Sequence, residues 1–292
     1  MNSNWNNLIL QGLVGHGLVG YNTIKTLIDA SEPQPEVVKD YAEYFPSLSF
    51  IDNGIIENQC VRLYHKEHAG KSLYYINGPQ PRSEEMNSFF LQKIISDIRE
   101  LHSKQPIDLF ISFGALVSKN LSYTDFMDVE YKSTEELAEK ILSSEIALER
   151  NLRVATCGDL VFDDFAKSLD NPKDLKKESQ GYISGLNGVL PALVGERLKI
   201  PTVTIMVETT GTDSRTNNFP VLAQFLGLLA TKKALQFIQK VFLEGQQLEE
   251  KVDKILAELK TAAKQELINY IENDFSAEKN HESDYRNDKM YT

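Results

Sequence analysis

The sequence predicts an α/β protein, a mostly parallel sheet with helices on both faces, followed by one further helix and a polar tail. Three observations predict it. Short apolar runs of strand length alternate with longer stretches of helical periodicity from residue 7 to about 243. Several of the apolar runs end in glycine-bearing turns, as parallel strands do where they hand over to a helix. No second core and no linker interrupts the alternation before about residue 244, so residues 1–244 read as one α/β domain.

Residues 7–11 form a short buried strand that enters the glycine string Gly12, Gly15, Gly17 and Gly20. A helix follows over about 18–30, with Val19, Ile24, Leu27 and Ile28 on its apolar face. Pro33 and Pro35 interrupt the chain before a short strand at Glu36, Val37 and Val38. Residues 46–58 are irregular, with a turn at Asp52-Asn53-Gly54. Residues 59–65 and 71–76 pair as a hairpin around Glu67-His68-Ala69-Gly70. The loop 77–81 follows a strand, where open α/β sheets make ligand contacts. A helix then runs over 83–103, and a strand over 107–113 ends at Gly114. The helix at 133–150 has Thr134 as its cap and acids in its first turn. Residues 153–157 are a strand ending at Gly158, and 171–179 are polar and exposed. A second glycine turn, 181–188, leads into a helix through Glu196, Arg197 and Leu198. The apolar strand 200–208 ends in a polar run at 209–213, and a helix covers 220–243.

Beyond Gly245, Leu248, Val252, Ile255, Leu259 and Ala262 recur at spacings of 4, 3, 4 and 3. That is a narrow seam on a Glu- and Lys-rich helix over 245–273, fit for one partner helix, its own or a second copy's, the alternative being a surface helix lying on the domain. After Ile271 the pattern stops, and residues 274–292 are expected to be a flexible tail. The tail closes on Met290, Tyr291 and Thr292, an apolar residue, an aromatic one and a carboxylate. Only burial rewards such side chains at the end of a polar segment.

Composition excludes several classes. The net charge of -11 repels phosphate backbones, so no nucleic-acid partner is expected. Cys60 and Cys157 are far apart and outside any C-x-x-C, which reads as two structural thiols in a reducing cytoplasm. The N-terminus lacks a basic region and an apolar region, so no signal peptide is expected. The longest uncharged stretches, about 181–195 and 216–231, are interrupted by Pro, Asn and Gln, and no membrane span or membrane partner is expected.

Gly15-x-Gly17-x-x-Gly20 matches the dinucleotide fingerprint, and Asp40 lies twenty residues past Gly20. A pyrophosphate would rest on the helix N-terminus. The competing reading is a tight strand-to-helix turn that uses glycine only for close packing. Met206 and Glu208 at a strand end would suit a nucleoside phosphorylase, with Glu208 on a ribose hydroxyl and the Gly15–Gly20 turn on phosphate. His16 sits in that turn, but no acid or nucleophile can be assigned to it. His65 and His68 suggest a metal pair, yet no third ligand is in view and a solvated hairpin end is the expectation. No metal and no cofactor are expected.

The combination of four features resembles the proteasome-assembling chaperone (PAC2-like) family, most closely its archaeal homologues. They are the glycine string Gly12-x-x-Gly15-x-Gly17-x-x-Gly20 and the strand end Ile111-Ser112-Phe113-Gly114. The others are the small-residue turn from Gly181 to Gly188, and the strand to Glu208 followed by a helix opening near Pro220 and Ala223. The family often has an acid just after that proline, where this chain has Val221. The resemblance covers about residues 7 to 243 and implies a three-layer α/β/α fold similar to the nucleoside phosphorylase and hydrolase architecture. It further implies a non-enzymatic protein that forms homo-oligomers, such as tetramers, through a seam like that at Leu248, Val252, Ile255 and Leu259. It makes the 20S proteasome α-ring the expected partner. Met290, Tyr291 and Thr292 then match a hydrophobic-Tyr-any-residue docking motif, in which side chains fill a cleft between α subunits and the carboxylate meets a lysine. The alternative is an enzyme on a phosphorylase-like or dinucleotide-binding scaffold, using Gly15, Gly17, Gly20 and Glu208.

Overall fold

The strands are apolar on both faces, so the sheet has to be covered twice. In β1 (Asn7–Leu13) the side chains of Leu8 and Leu10 enter one core, and those of Ile9 and Leu13 enter another on the opposite face. The same alternation holds in β6 (Lys71–Gly78), where Leu73 and Tyr75 oppose Tyr74 and Ile76. It holds again in β7 (Leu109–Asn120), where Leu109, Ile111 and Phe113 oppose Phe110. The computed structural model describes residues 5–45, 49–52, 55–58, 60–81, 83–120, 132–147, 150–157, 162–167, 175–178, 183, 185–211, 220–241 and 248–288.

The remaining strands are β2 (Glu36–Asp40), β3 (Ser49–Asp52), β4 (Ile55–Asn58), β5 (Arg62–His68), β8 (Leu152–Cys157), β9 (Leu175–Lys177) and β10 (Thr202–Gly211). An eight-stranded sheet has the order β2-β5-β6-β1-β7-β10-β8-β9, and β3 and β4 pair separately. Neighbours from β6 through β10 are parallel, β5 runs against both β2 and β6, and β8 runs against β10 but parallel to β9. Both ends of the sheet are short. On β2 the pairing with β5 shifts between Val37 and Lys39, and on β9 Lys176 and Lys177 are exposed.

One face carries α1 (Val19–Asp29), α3 (Thr134–Ala147), α4 (Phe162–Lys167), α6 (Pro220–Val241) and α7 (Glu249–Asp288). The other carries α2 (Glu84–Lys104) and α5 (Leu186–Leu193), the latter continued by a π-helical turn, Val194–Leu198. The molecule is therefore a three-layer α/β/α structure, as expected from the alternation. Ser83 caps α2 by accepting from the Met86 amide, and Ser133, rather than Thr134, caps α3 by accepting from the Glu136 amide. The polar stretch expected to be exposed at 171–179 contains β9, held at the sheet edge by the burial of Leu175.

The α6 segment Pro220–Lys240 has a mean hydropathy of 1.3 and is long and apolar enough to cross a membrane by length and composition. That differs from the sequence expectation, in which polar residues interrupted it. In the fold 67% of the apolar window is buried against the sheet and the helices around it.

Against α6 lies α7, antiparallel to it. Glu266 of α7 accepts from the Leu222 amide at 2.8 Å, and Asp253 pairs with Lys232 at 2.6 Å. An acid thus stands at the N-terminus of α6 even though Val221 follows Pro220, and α7 supplies it. Leu248, Val252, Leu256, Ala263, Leu267 and Ile271 are buried in the same core as α6, with Leu259 packed beside it. Ile255, expected in the seam, is 41% exposed. Val252 and Ala263, like Leu256 and Leu267, are eleven residues apart. Eleven residues make three turns of about 3.67 residues, so the buried stripe drifts off the 3.5-residue seam and covers two helices, α6 and α3. The helix also continues to Asp288, through residues expected to lack regular structure. No Gly or Pro between 274 and 288 breaks its hydrogen-bond ladder.

α1 crosses the sheet with backbone against backbone. A Cβ on Gly20 would lie 2.2 Å from the Phe113 carbonyl oxygen, and one on Gly12 would lie 1.9 Å from the Gly20 carbonyl oxygen. We expect Gly20→Ala to cost about 3 kcal/mol or more in urea unfolding, because the helix must move off two strands. Gly114→Ala, where nothing lies within 4 Å of the added carbon, should change stability by less than about 1 kcal/mol.

Candidate functional site

The chain leaves β1 toward β6 on one side and returns across it, through α2, to β7 on the other. The carboxyl end of β1 is therefore a topological switch point, the usual place for a ligand in an open α/β sheet. Pairing between β1 and β7 stops at Gln11 and Ser112, while β1 continues beside β6 to Leu13 and Gly78. The N–H and C=O of Leu13 consequently face a gap where β7 no longer reaches them.

Asn187, in the first turn of α5, fills that gap. Its Oδ1 accepts from the Leu13 amide at 3.0 Å, and its Nδ2 donates to the Leu13 carbonyl at 3.0 Å. The side-chain amide stands in for a peptide unit of the missing strand. Its orientation is fixed, since the Leu13 N–H needs an acceptor and the Leu13 C=O a donor. The fully buried Gln11 donates Nε2 to the Leu186 carbonyl at 3.1 Å and to Asn187 Oδ1 at 3.3 Å. Pro191 lies four residues past Asn187 and has no N–H to give its carbonyl. Ser112 Oγ donates to that carbonyl instead, at 2.9 Å.

The glycine turn above is held from all sides. Asn77 Nδ2 donates to the carbonyls of Gly12 and Tyr21 at 2.8 and 2.9 Å, and Gln80 donates to that of Val14. The loop expected to contact a ligand thus supports the turn. Gly15 is extended, Gly17 is left-handed at φ 60, and Gly17 meets α6, where a Cβ on Gly227 would lie 2.1 Å from its carbonyl oxygen. Gly20 is the contact with Phe113. Every glycine of the fingerprint is engaged in a turn or a close approach, which is the packing reading of the motif. The acid of the fingerprint is displaced as well. Asp40 lies on β2, separated from β1 by β5 and β6, and bonds the Ala42 amide and Arg62. A dinucleotide fold puts that acid on the strand beside β1. The spacing was right and the strand order was not.

Glu208 lies on β10, with β7 between it and β1. Its carboxylate accepts from Arg153 Nε at 2.6 Å and Asn151 Nδ2 at 2.8 Å. Burial raises its pKa, but these two donors and the Arg153 charge outweigh burial and hold it below the ordinary 4.5. His65 bonds Ser72 at 2.8 Å and Glu67 at 3.1 Å and stacks on Tyr74. Among the described residues no group of three or more His, Cys, Asp or Glu is placed to hold a metal ion. Burial pushes the Cys60 thiol up to about 11, so it is a poor nucleophile. Met290, Tyr291 and Thr292 lie outside the described residues, as does the His16 side chain.

The sequence motifs pointed to this strand end but not to the residues that build it. Gln11 and Ser112 were visible as polar residues in apolar strands, and Asn187 and Pro191 as polar and imino residues in a helical run.

Fold and site together define a three-layer α/β/α protein whose switch-point crevice is closed by its own amides. The chain belongs to the PAC2 family, whose family model matches residues 9–263. No curated protein matches it. Solved structures do. The chain is similar to Pyrococcus furiosus PbaB, an archaeal proteasome activator, with 15% identity, a TM-score of 0.59 and coverage of 91% of this chain and 95% of that one. It is also similar to P. furiosus PbaA, an archaeal homolog of proteasome-assembly chaperone, with 16% identity, a TM-score of 0.57 and coverage of 99% and 96%. A Mycobacterium tuberculosis proteasome-assembly chaperone homologue matches at 12% identity and a TM-score of 0.55, over 91% and 99%. These likenesses establish the shared fold.

Two outcomes test the geometry. Asn187→Ala should lose about 2–4 kcal/mol in urea unfolding and speed exchange of the Leu13 N–H, since it strands two buried backbone groups. Glu208 binds its proton more weakly folded than unfolded, so its contribution is full above about pH 4.5 and lost as pH falls through the depressed folded value. Glu208→Gln should therefore cost about 1–2 kcal/mol at pH 7, and the deficit should shrink in unfolding curves taken below pH 4.5.

Proposed function

We propose that the chain is a proteasome-binding protein, an assembly chaperone or an activator, that docks by its C-terminal Met290, Tyr291 and Thr292 on the α-ring of the 20S particle. Membership of the PAC2 family carries this reading. The names of its structural neighbours, a proteasome activator and assembly-chaperone homologues, support it. The form of α7 gives it a mechanism. From Ile271, which is buried, to Asp288 the helix rises about 25 Å. That is a rod ending two residues before Met290, in place of the flexible coil expected from composition.

Docking divides into two contributions. The Met290 and Tyr291 side chains exchange water for an apolar cleft, and the terminal carboxylate pairs with a cation there. A helical approach leaves few residues to be ordered on binding, which lowers the entropic cost of a short plug. One such plug binds weakly. Presentation of several on a homo-oligomer raises their effective concentration on a ring with repeated pockets.

The enzyme reading has less support. The Gly15–Gly20 turn is occupied by packing, and Glu208 by Arg153 and Asn151. No catalytic step is assigned.

The test is binding to the 20S proteasome of the same source, with and without residues 290–292. Truncation should weaken binding at least tenfold and leave the melting temperature unchanged. Equal binding by both proteins would move recognition to the body. A saturable thermal shift with nucleosides, phosphate or nicotinamide dinucleotides would replace the reading with an enzymatic one.

A further inference from the structure

Away from the strand end, α3, α6 and α7 enclose a groove of about 390 Å³. Ligand pockets ordinarily span about 300–1,000 Å³. Its wall on α6 extends from Phe225 to Gln236, eleven residues or about 16 Å along the helix. The groove is therefore a trough parallel to the helices. Phe225, Leu229 and Leu256 form its floor, buried but reaching the groove surface, and the exposed Ala257 keeps its rim low.

The rim is cationic. Arg150, Lys232, Lys233 and Lys260 line the groove, and Asp253 is the one carboxylate among its described lining residues. Lys232 pairs with Asp253 at 2.6 Å and Lys260 with Glu139 at 3.6 Å, both at partly exposed positions. Exposed pairs of this kind contribute little and exchange readily for a better partner. Arg150 is only 5% exposed, a permanent cation at the groove wall, and it and Lys233 are likewise already engaged within the chain, so their contacts too would be exchanged on binding. The chain as a whole carries -11, so this concentration of positive charge runs against its average.

We infer that this groove binds an acidic amphipathic helix of a partner protein, about three turns long. Apolar side chains at i, i+3, i+4 and i+7 would enter between α6 and α7, and flanking carboxylates would meet Lys233, Lys260 and Arg150. The length of the trough sets the length of the helix, and the charge of the rim sets its sign. A cationic helix would be repelled there, which gives the groove selectivity as well as affinity. The surface is separate from the C-terminal motif, and the inference does not depend on that docking reading.

A fluorescein-labelled 15-residue peptide, with leucines at helical spacing and glutamates between them, is the probe. Fluorescence anisotropy against the full chain should give saturable binding that weakens with salt. Lys233→Glu and Ala257→Trp should each weaken it at least tenfold, the first by charge and the second by filling the trough. Lys177→Glu on the sheet edge should leave it unchanged. Circular dichroism melts confirm that each variant is folded, and Lys233→Glu decides the matter if Ala257→Trp does not fold. Equal binding of a peptide with glutamine in place of glutamate overturns the proposal. So does equal loss in Lys177→Glu. Sedimentation showing a dimer that Ala257→Trp dissociates, and with which the peptide does not compete, assigns the groove to a second copy and overturns it too.

Discussion

Backbone touches backbone where α1 crosses the sheet, and the layers on that face follow from this contact. A Cβ on Gly12 of β1 would strike the Gly20 carbonyl of α1, and one on Gly20 would strike the Phe113 carbonyl of β7. A helix seated this low leaves a short turn between strand and helix. The turn in turn brings Gly17 against Gly227, which sets the height of α6. α7 then packs along α6 and ties it at its N-terminus, through Glu266 to the Leu222 amide, and at mid-helix, through Asp253 to Lys232. A displacement of α1 by the width of a methyl group would be felt by each layer above it.

On the opposite face the governing group is one side-chain amide. Asn187 supplies to Leu13 both bonds that a neighbouring strand would have supplied. It can do so because α5 begins at the crevice and because Pro191 frees its carbonyl for Ser112. An open sheet leaves unpaired backbone at its switch point, and many proteins satisfy it with a ligand. Here Gln11, Ser112 and Asn187 satisfy most of it internally. The same device explains why the glycine string looks like a nucleotide motif: the local chain path is that of a strand, a tight turn and a helix.

Much of this was legible in the sequence. The alternation of buried runs with helical periods predicted the layers, because both signals are local. Strand order was not legible, and that is why Asp40 misled: counting residues cannot reveal that β2 pairs at the far edge of the sheet. The seam on α7 failed at Ile255 for a related reason. Spacings of 4 and 3 describe a helix facing one partner, and α7 faces two, so Leu256 is buried instead. The helix beyond 274 is not legible in composition, because a polar segment argues against a core and does not argue against a helix. Nothing local in the sequence marks Asn187, because its importance lies in a partner 174 residues away.

The two ends of the sheet have a bearing on how copies of the chain can meet. β2 presents Val37 and Val38 at 52% and 45% exposure, but its pairing with β5 shifts register just there, so the strand is kinked out of the flat ladder another strand would need. At the other end β9 is three residues long and carries Lys176 and Lys177 outward. Both are poor templates for strand addition, and crowding in a concentrated solution would gain little from joining sheets edge to edge. Open-ended growth by strand addition is thereby disfavoured at both ends of the eight-stranded sheet.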